Sequence, residues 1–227
     1  MANVNVSGIL QCSDGTIIPL DKTCAEGTEE NLTTNTDYTV TASNVGDYAP
    51  GKVVTSGYIQ ADHNISYAYI LRQGLIATII PVGVKGLASS APLPLCRPFQ
   101  LQPGDIVRVL ALTAASRATA TCVYTNQGVY RIFDVDSASG NVEPVDLQTN
   151  NSVGDTLQNQ VIIKAFCSAG SLGNTELVDG GGCLMLNEKG MPVGAIPANS
   201  PANQNVYWSD VAIPVALNYV WRITSSA

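Results

Sequence analysis

The chain contains a single histidine, His63, in the run Gln60-Ala61-Asp62-His63-Asn64. Nucleophilic catalysis through an imidazole needs that ring beside a hydroxyl or thiol, held by a third group. On a strand, the neighbouring Asp62 would point to the opposite face, so His63 reads as a residue lining a turn. The closest carboxylates are Asp134 and Asp136, with Glu143 nearby. A period of two puts the first two on one strand face, where with Asn141 they could form an oxygen cage for Ca²⁺. The EF-hand pattern fails, because Ala138 stands at the third ligand position and Gly140 comes one place late. A solvated hairpin tip is the expectation. Gly180-Gly181-Gly182 lacks the Lys-Ser/Thr of a phosphate loop, and neither G-x-S-x-G nor H-E-x-x-H occurs. No catalytic residue, cofactor or metal is expected, and the chain is read as a protein that is not an enzyme.

None of the six cysteines lies in a C-x-x-C arrangement, so zinc is not expected. Cys12 and Cys24 flank a short polar loop and form a candidate disulfide for an oxidising environment. Cys122 and Cys167, in apolar runs, read as small core residues. Tyr67 and Tyr69 share a strand face, as an interface or a sugar platform requires. Trp208 and Trp221 read as core packing. The sequons at Asn5, Asn31, Asn64 and Asn150 follow from an Asn- and Thr-rich composition.

Hydrophobic residues make up 45% of the 227 and charged residues only 13%. Charge depletion of this kind marks contact surfaces rather than open surface. The net charge of −7 is concentrated at the front: residues 1–50 hold seven acids against Lys22 alone, and the remainder eleven acids against ten bases. No cluster of Lys and Arg exists, so nucleic acid is not an expected partner. The opening Met1–Gly8 has neither the basic nor the apolar region of a signal peptide. The most apolar run, Gly74–Val84, contains Pro81 and falls short of the ~20 residues a bilayer demands, so no membrane span is expected.

The elements that would position these residues are strands. Short runs rich in Val, Ile, Thr and Tyr recur between turn signals, with almost no amphipathic helical period. They fall at Lys52–Gln60, Leu75–Val82, Asp105–Leu112, Ala118–Tyr124, Val129–Val135, Gln160–Phe166, Cys183–Leu186, Val206–Trp208 and Asn218–Thr224. Gln102-Pro103-Gly104-Asp105 has the residues of a type II turn. Thr125-Asn-Gln-Gly128, Asn187-Glu-Lys-Gly190 and Asp136–Asn141 each join two runs through a loop with Gly at or near its end. The turn formers of Asn44–Gly51 suggest a boundary that separates an acidic arm or small subdomain, 1–48, from a body at 49–227. Leu87–Pro98, with three prolines, must run extended, and Leu93 and Leu95 on it are candidate contacts between subunits.

The expected fold is all-β: a β-sandwich of jelly-roll type, or a barrel, of short antiparallel strands. Low charge, no catalytic set and an extended connector together lead to the expectation of a virion structural protein. It would be an accessory decoration or cement protein on the capsid surface, its partners being itself, as a homo-oligomer with a trimer expected, and other capsid proteins. The alternatives are a jelly-roll main capsid subunit and an extracellular glycan-binding β-module.

Overall fold

The computed structural model describes residues 3–34, 44–61, 65–82, 92–111, 119–135, 143–169, 173–178, 196–197 and 208–225. The chain divides into two compact units, Met1–Ala115 with Ala202–Tyr207, and Ser116–Pro201 with Trp208–Ala227. In the first unit the elements are β1 (Asn3–Cys12), β2 (Ile17–Ala25), β3 (Glu29–Leu32), α1 (Val45–Tyr48), β4 (Val53–Ala61), β5 (Ile65–Arg72), β6 (Leu75–Ile80), β7 (Leu93–Gln100) and β8 (Ile106–Ala111). In the second they are β9 (Thr119–Thr125), β10 (Tyr130–Val135), β11 (Val145–Asp146), α2 (Val153–Leu157), β12 (Val161–Ala169), β13 (Gly173–Val178), β14 (Ile196–Pro197), β15 (Ser209–Pro214) and β16 (Val220–Ser225).

The all-β expectation holds, and every pairing between named strands is antiparallel. The first unit has two sheets, ordered β2-β1-β4-β7 and β3-β8-β5-β6. Counted from β2 and closing with β1, these are the jelly-roll neighbours: first, eighth, third and sixth strands in one sheet, second, seventh, fourth and fifth in the other. The strand that would come last in sequence comes first. Alternation along each strand sends Val4, Val6, Leu10, Ile18, Leu20 and Val54 from one sheet, and Leu32, Ile70, Val107 and Val109 from the other, into a single core. Each such side chain contributes ~1.5–3 kcal/mol by leaving water.

The second unit repeats this order. Its sheets run β11-β10-β9-β12-β15 and β14-β13-β16, so β9 to β16 take the places of β1 to β8. The one exchange is β11, which pairs with β10, whereas its counterpart β3 pairs with β8. Its core gathers Val123, Phe133, Ile162, Ala165, Ile213 and Trp221.

The repeat extends to single hydrogen bonds. In the hairpin turns, Gly15 N–H donates to Cys12 O and Gly128 N–H to Thr125 O, each at 3.0 Å. Ser13 N–H donates to Val53 O, and Asn126 N–H to Val161 O. Ahead of the third strand of each hairpin sheet, Gly51 N–H donates to Leu101 O and Asn159 N–H to Val215 O. The left-handed backbone recurs too, with Gly51 at φ 80° and Asn159 at φ 66°, and Gly104 at φ 85° and Asn218 at φ 68°. The sequence trace of this duplication is Val45-Gly46-Asp47 against Val153-Gly154-Asp155.

Three expectations change. Residues 3–32 are not an arm: β1 lies inside a sheet between β2 and β4, and β3 pairs with β8, because their alternating apolar residues are needed for the first core. The compact units part at Ala115/Ser116, not at residue 48. The turn formers at 44–51 mark α1 and the corner into β4, within the first unit. Six expected strands match β4, β6, β8, β9, β10 and β12 within two or three residues at their ends, and the last matches β16. Gly104 and Gly128 take the positive φ expected of them. Residues 183–186, 187–190, 136–141 and 206–207 lie outside the described residues.

The corner at each short helix leaves no room for a side chain. A Cβ on Gly46 would collide with the Gln102 carbonyl oxygen and lie 2.6 Å from Asp105 N, and one on Gly154 would lie 2.5 Å from Tyr219 N. A Cβ on Gly51 meets nothing within 4 Å. Gly46→Ala and Gly154→Ala should therefore each lower unfolding stability by ~1–3 kcal/mol or more. Gly51→Asn, which copies the second unit, should cost less than ~1 kcal/mol. Urea unfolding of the three variants checks this, and a Gly51→Asn loss as large as the others would refute the assignment.

Candidate interaction surface

One end of the first unit collects the β1–β2 turn, α1, the β5–β6 turn and the β7–β8 turn. Its anchor is Asp105, fully buried, whose carboxylate accepts Arg72 Nε at 2.8 Å, Arg72 Nη2 at 2.7 Å and its own turn's Gln102 N–H at 2.8 Å. Arg72 also donates to Gln100 O and lies 4.5 Å from the Phe99 ring centroid. A fork-shaped cation on a buried carboxylate fixes two hairpin turns to each other. Farther out, Lys52 pairs with Asp14, and Gly104 N–H donates to Asp47 at 2.9 Å. The hydrogen bond from Lys52 holds the Asp14 carboxyl down at about 2. Ile17, Tyr48 and Leu75 are exposed at this end, in the β1–β2 turn, α1 and the β5–β6 turn.

The outer face of the β2-β1-β4-β7 sheet is a ladder of uncharged polar groups. Register sets Thr23 against Asn5, Ser7 between Asp21 and Gln60, and Gln11 against Ser56. Thr23 Oγ1 donates to Asn5 Oδ1 at 3.1 Å and Ser56 Oγ to Gln11 Oε1 at 3.2 Å. Asn5, Ser7 and Gln11 of β1, with Ile17, Pro19 and Thr23 of β2, are exposed, and Asp21 is the sole charge on this open half.

Four of the eight edge strands carry proline. Prolines stand in the edge strands β2 (Pro19), β7 (Pro94, Pro98), β14 (Pro197) and β15 (Pro214), and none in a strand flanked on both sides. Asp21 N–H points away from β1, to Thr33 O at 3.1 Å, so Pro19, two residues earlier, lacks its N–H on the free edge. An edge without that donor resists addition of a foreign strand.

Several expected site residues are placed elsewhere. Leu93 and Leu95 are each 6% exposed, and Leu95 belongs to the first core, so the chain itself covers them and leaves little of either to meet a second subunit. Pro94 between them and Pro98 beyond hold β7 extended as an edge strand rather than as a free connector. Tyr67 and Tyr69 do share a face, their ring centroids 6.0 Å apart, yet both are buried and offer no platform. Tyr69 Oη donates to Glu29 Oε1 at 2.7 Å, and Arg108 binds both Glu29 and Asn31. Burial and the Glu29 carboxylate push the Tyr69 phenol well above its ordinary value.

Cys12 and Cys24 are buried thiols. Cys24 pairs in register with Val4, eight residues from Cys12 along β1, which puts them about 26 Å apart. A disulfide needs Cα atoms within ~7 Å, so the spacing that suggested a loop clasp spans a whole hairpin. Burial pushes the Cys24 thiol up to about 11. Cys122 and Cys167 are core residues as expected, as is Trp221, whereas Trp208 is half-buried against Phe166 and Tyr130. Among the described residues no three His, Cys, Asp or Glu side chains are grouped to hold a metal, and no helix is long and apolar enough to cross a membrane. Asp134 lies on β10 and Glu143 is exposed; Asp62, His63, Asp136, Asn141 and Gly180–Gly182 fall outside the described residues.

No family model, curated protein or solved structure matches the chain.

Two outcomes test this geometry. Asp105→Ala should cost ~3–5 kcal/mol in unfolding stability, because it strands Arg72 beside a turn built around it. Because the Asp14 carboxyl is lowered from 3.8 to about 2, the Lys52 contact contributes fully above pH 4 and is lost as pH falls towards 2. Amide exchange in the β1–β2 turn should rise across that window, and Lys52→Gln should remove the pH dependence; an unchanged profile in that variant would show that Lys52 is not the cause.

Proposed function

We propose that this chain is a structural protein of a virion shell, a non-enzymatic subunit that works by packing against copies of itself and other shell proteins. The observation that carries the reading is the pair of units with jelly-roll strand order, a fold used by viral capsid proteins, lectins and cupins. The step from fold to role is an analogy, and two properties of the surface support it. The open half of the first sheet is polar but nearly uncharged, as contact surfaces are. Proline on the edge strands directs association to faces and loop ends, which can be repeated without fibre growth.

Tandem duplication favours the main shell subunit over a decoration. Two units of one fold within a single chain give a shell two similarly shaped blocks per gene product, whereas an accessory protein needs only one binding face. The lectin reading calls for an exposed aromatic platform, and the paired rings of the described residues, such as Tyr124 with Tyr130, are buried except Trp208, which is half-buried.

Absolute mass by light scattering after size exclusion, with negative-stain microscopy of the same fractions, tests the proposal. A closed oligomer or a particle is the expected result. A protein that stays monomeric at millimolar concentration and binds members of a glycan array would overturn it in favour of a binding module.

A further inference from the structure

The duplication supplies an internal comparison that points to one contact surface. The two hairpins share turn bonds and register, so each outer position of β1 and β2 has a counterpart in β9 and β10. Counted from the matched turns, Ser7, Ile9 and Gln11 correspond to Ala120, Cys122 and Tyr124, and Ile17 and Pro19 to Tyr130 and Ile132. In the second unit all five are buried, none more than 7% exposed. In the first, Ser7, Gln11, Ile17 and Pro19 are exposed. One framework thus carries a covered apolar face in one copy and an open polar face in the other. The framework itself demands neither.

We propose that the open face of the β1–β2 hairpin docks on its counterpart in a second copy of this chain, about a two-fold axis. This rests on the self-assembly reading above and names the surface that would carry it. Three observations select the occupant. The chain carries a net charge of −7, so a like-with-like contact is least opposed where charge is scarcest, and this face holds Asp21 alone. Its amides and hydroxyls, Asn5, Ser7, Gln11 and Thr23, each donate and accept, so the face is complementary to itself without needing an opposite charge. Ile9, half-buried, and Pro19 pair at the middle of the face, and Ile17, 56% exposed, extends this apolar area to its turn end. The missing N–H of Pro19 keeps the second copy on the face and off the strand edge.

The test uses the full chain with Ser7→Glu and Gln11→Glu together, the same positions changed to Lys, and Gln158→Lys as an exposed control in the second unit. Sedimentation across a concentration series reads association, and thermal unfolding confirms that each variant is folded. A two-fold contact brings like charge against like, so the Glu pair and the Lys pair should each weaken association at least tenfold. Mixing those two proteins should restore it, and the control should leave it unchanged. If the unaltered chain assembles and both charged variants assemble equally well, the face assignment is overturned and the shell reading stands. If each variant fails to assemble and the mixture fails too, the like-with-like geometry is overturned. If the unaltered chain never associates, the shell reading falls and this proposal with it.

Discussion

Both units depend on a close backbone approach that only glycine permits. The N–H of Gly46 reaches Asp105 O at 3.1 Å, and the N–H of Gly154 reaches Tyr219 O at 2.8 Å. Each bond ties a one-turn helix to the turn that opens the last strand of its unit. Leu101 N–H to Lys52 O and Val215 N–H to Gln160 O then clamp the same corner from the other side. A helix of four or five residues has no stability of its own, so it is the corner that holds it. The corner also brings the two sheets of each sandwich together at one end, since it joins the start of β4 to the start of β8, and β12 to β16. Val45 and Val153, next to the glycines, are fully buried and place one apolar side chain in each core.

Around that shared corner the units have diverged in how they satisfy polar groups. The first uses Asp105, buried and gripped by Arg72. The second has Tyr219 at that position and no carboxylate to grip. Among its described residues the buried acid is Asp146, at the end of β11, where Thr149 donates through both N–H and Oγ1 at 2.9 and 2.8 Å, and Arg131 Nε stands 3.8 Å away. A backbone hydrogen bond at the corner tolerates any side chain on the acceptor residue, because the carbonyl is the acceptor. A buried ion pair does not, because removing either partner leaves an uncompensated charge. Backbone bonds therefore persist through the duplication while the ion pairs move.

That distinction explains what could be read in the sequence. Strands with apolar runs bounded by turn formers were legible, since Ile106–Leu110 after Pro103-Gly104 has both a pattern and a stop. The strands β1 and β2 were obscured by the polar residues on their outer positions: Val4, Val6, Ile18 and Leu20 alternate as a strand should, but Asn5, Ser7, Gln11, Asp21 and Thr23 between them resemble a solvated terminus. Leu93 and Leu95 were misplaced because proline argues against a central strand and is silent about an edge strand. The duplication left few identical residues. Val-Gly-Asp, the glycine of each hairpin turn and an Asn in place of a left-handed Gly are its main marks. Its chief content is a hydrogen-bond pattern in the main chain, which side-chain identity records only where glycine or asparagine is required.

The same reasoning bears on how such a chain associates. A sheet protein can grow through its edges or through its faces, and edge growth has no natural end. Here proline stands in four of the eight edge strands and removes a donor from the free edge of β2, whereas the flanked strands contain no proline. Faces remain, and a two-fold contact of a face with its own counterpart closes on itself. The charge distribution acts in the same direction. Charged side chains of the first unit are drawn into pairs, Lys22 with Glu30, Lys52 with Asp14, Arg72 with Asp105 and Arg108 with Glu29, which leaves the β1–β2 face to amides and hydroxyls. Desolvating those groups is offset when each finds a partner across the contact, whereas desolvating a lone charge is not. A chain poor in charge, with proline in half of its edge strands and one open polar face, is thereby suited to contacts that are extensive in area and limited in number.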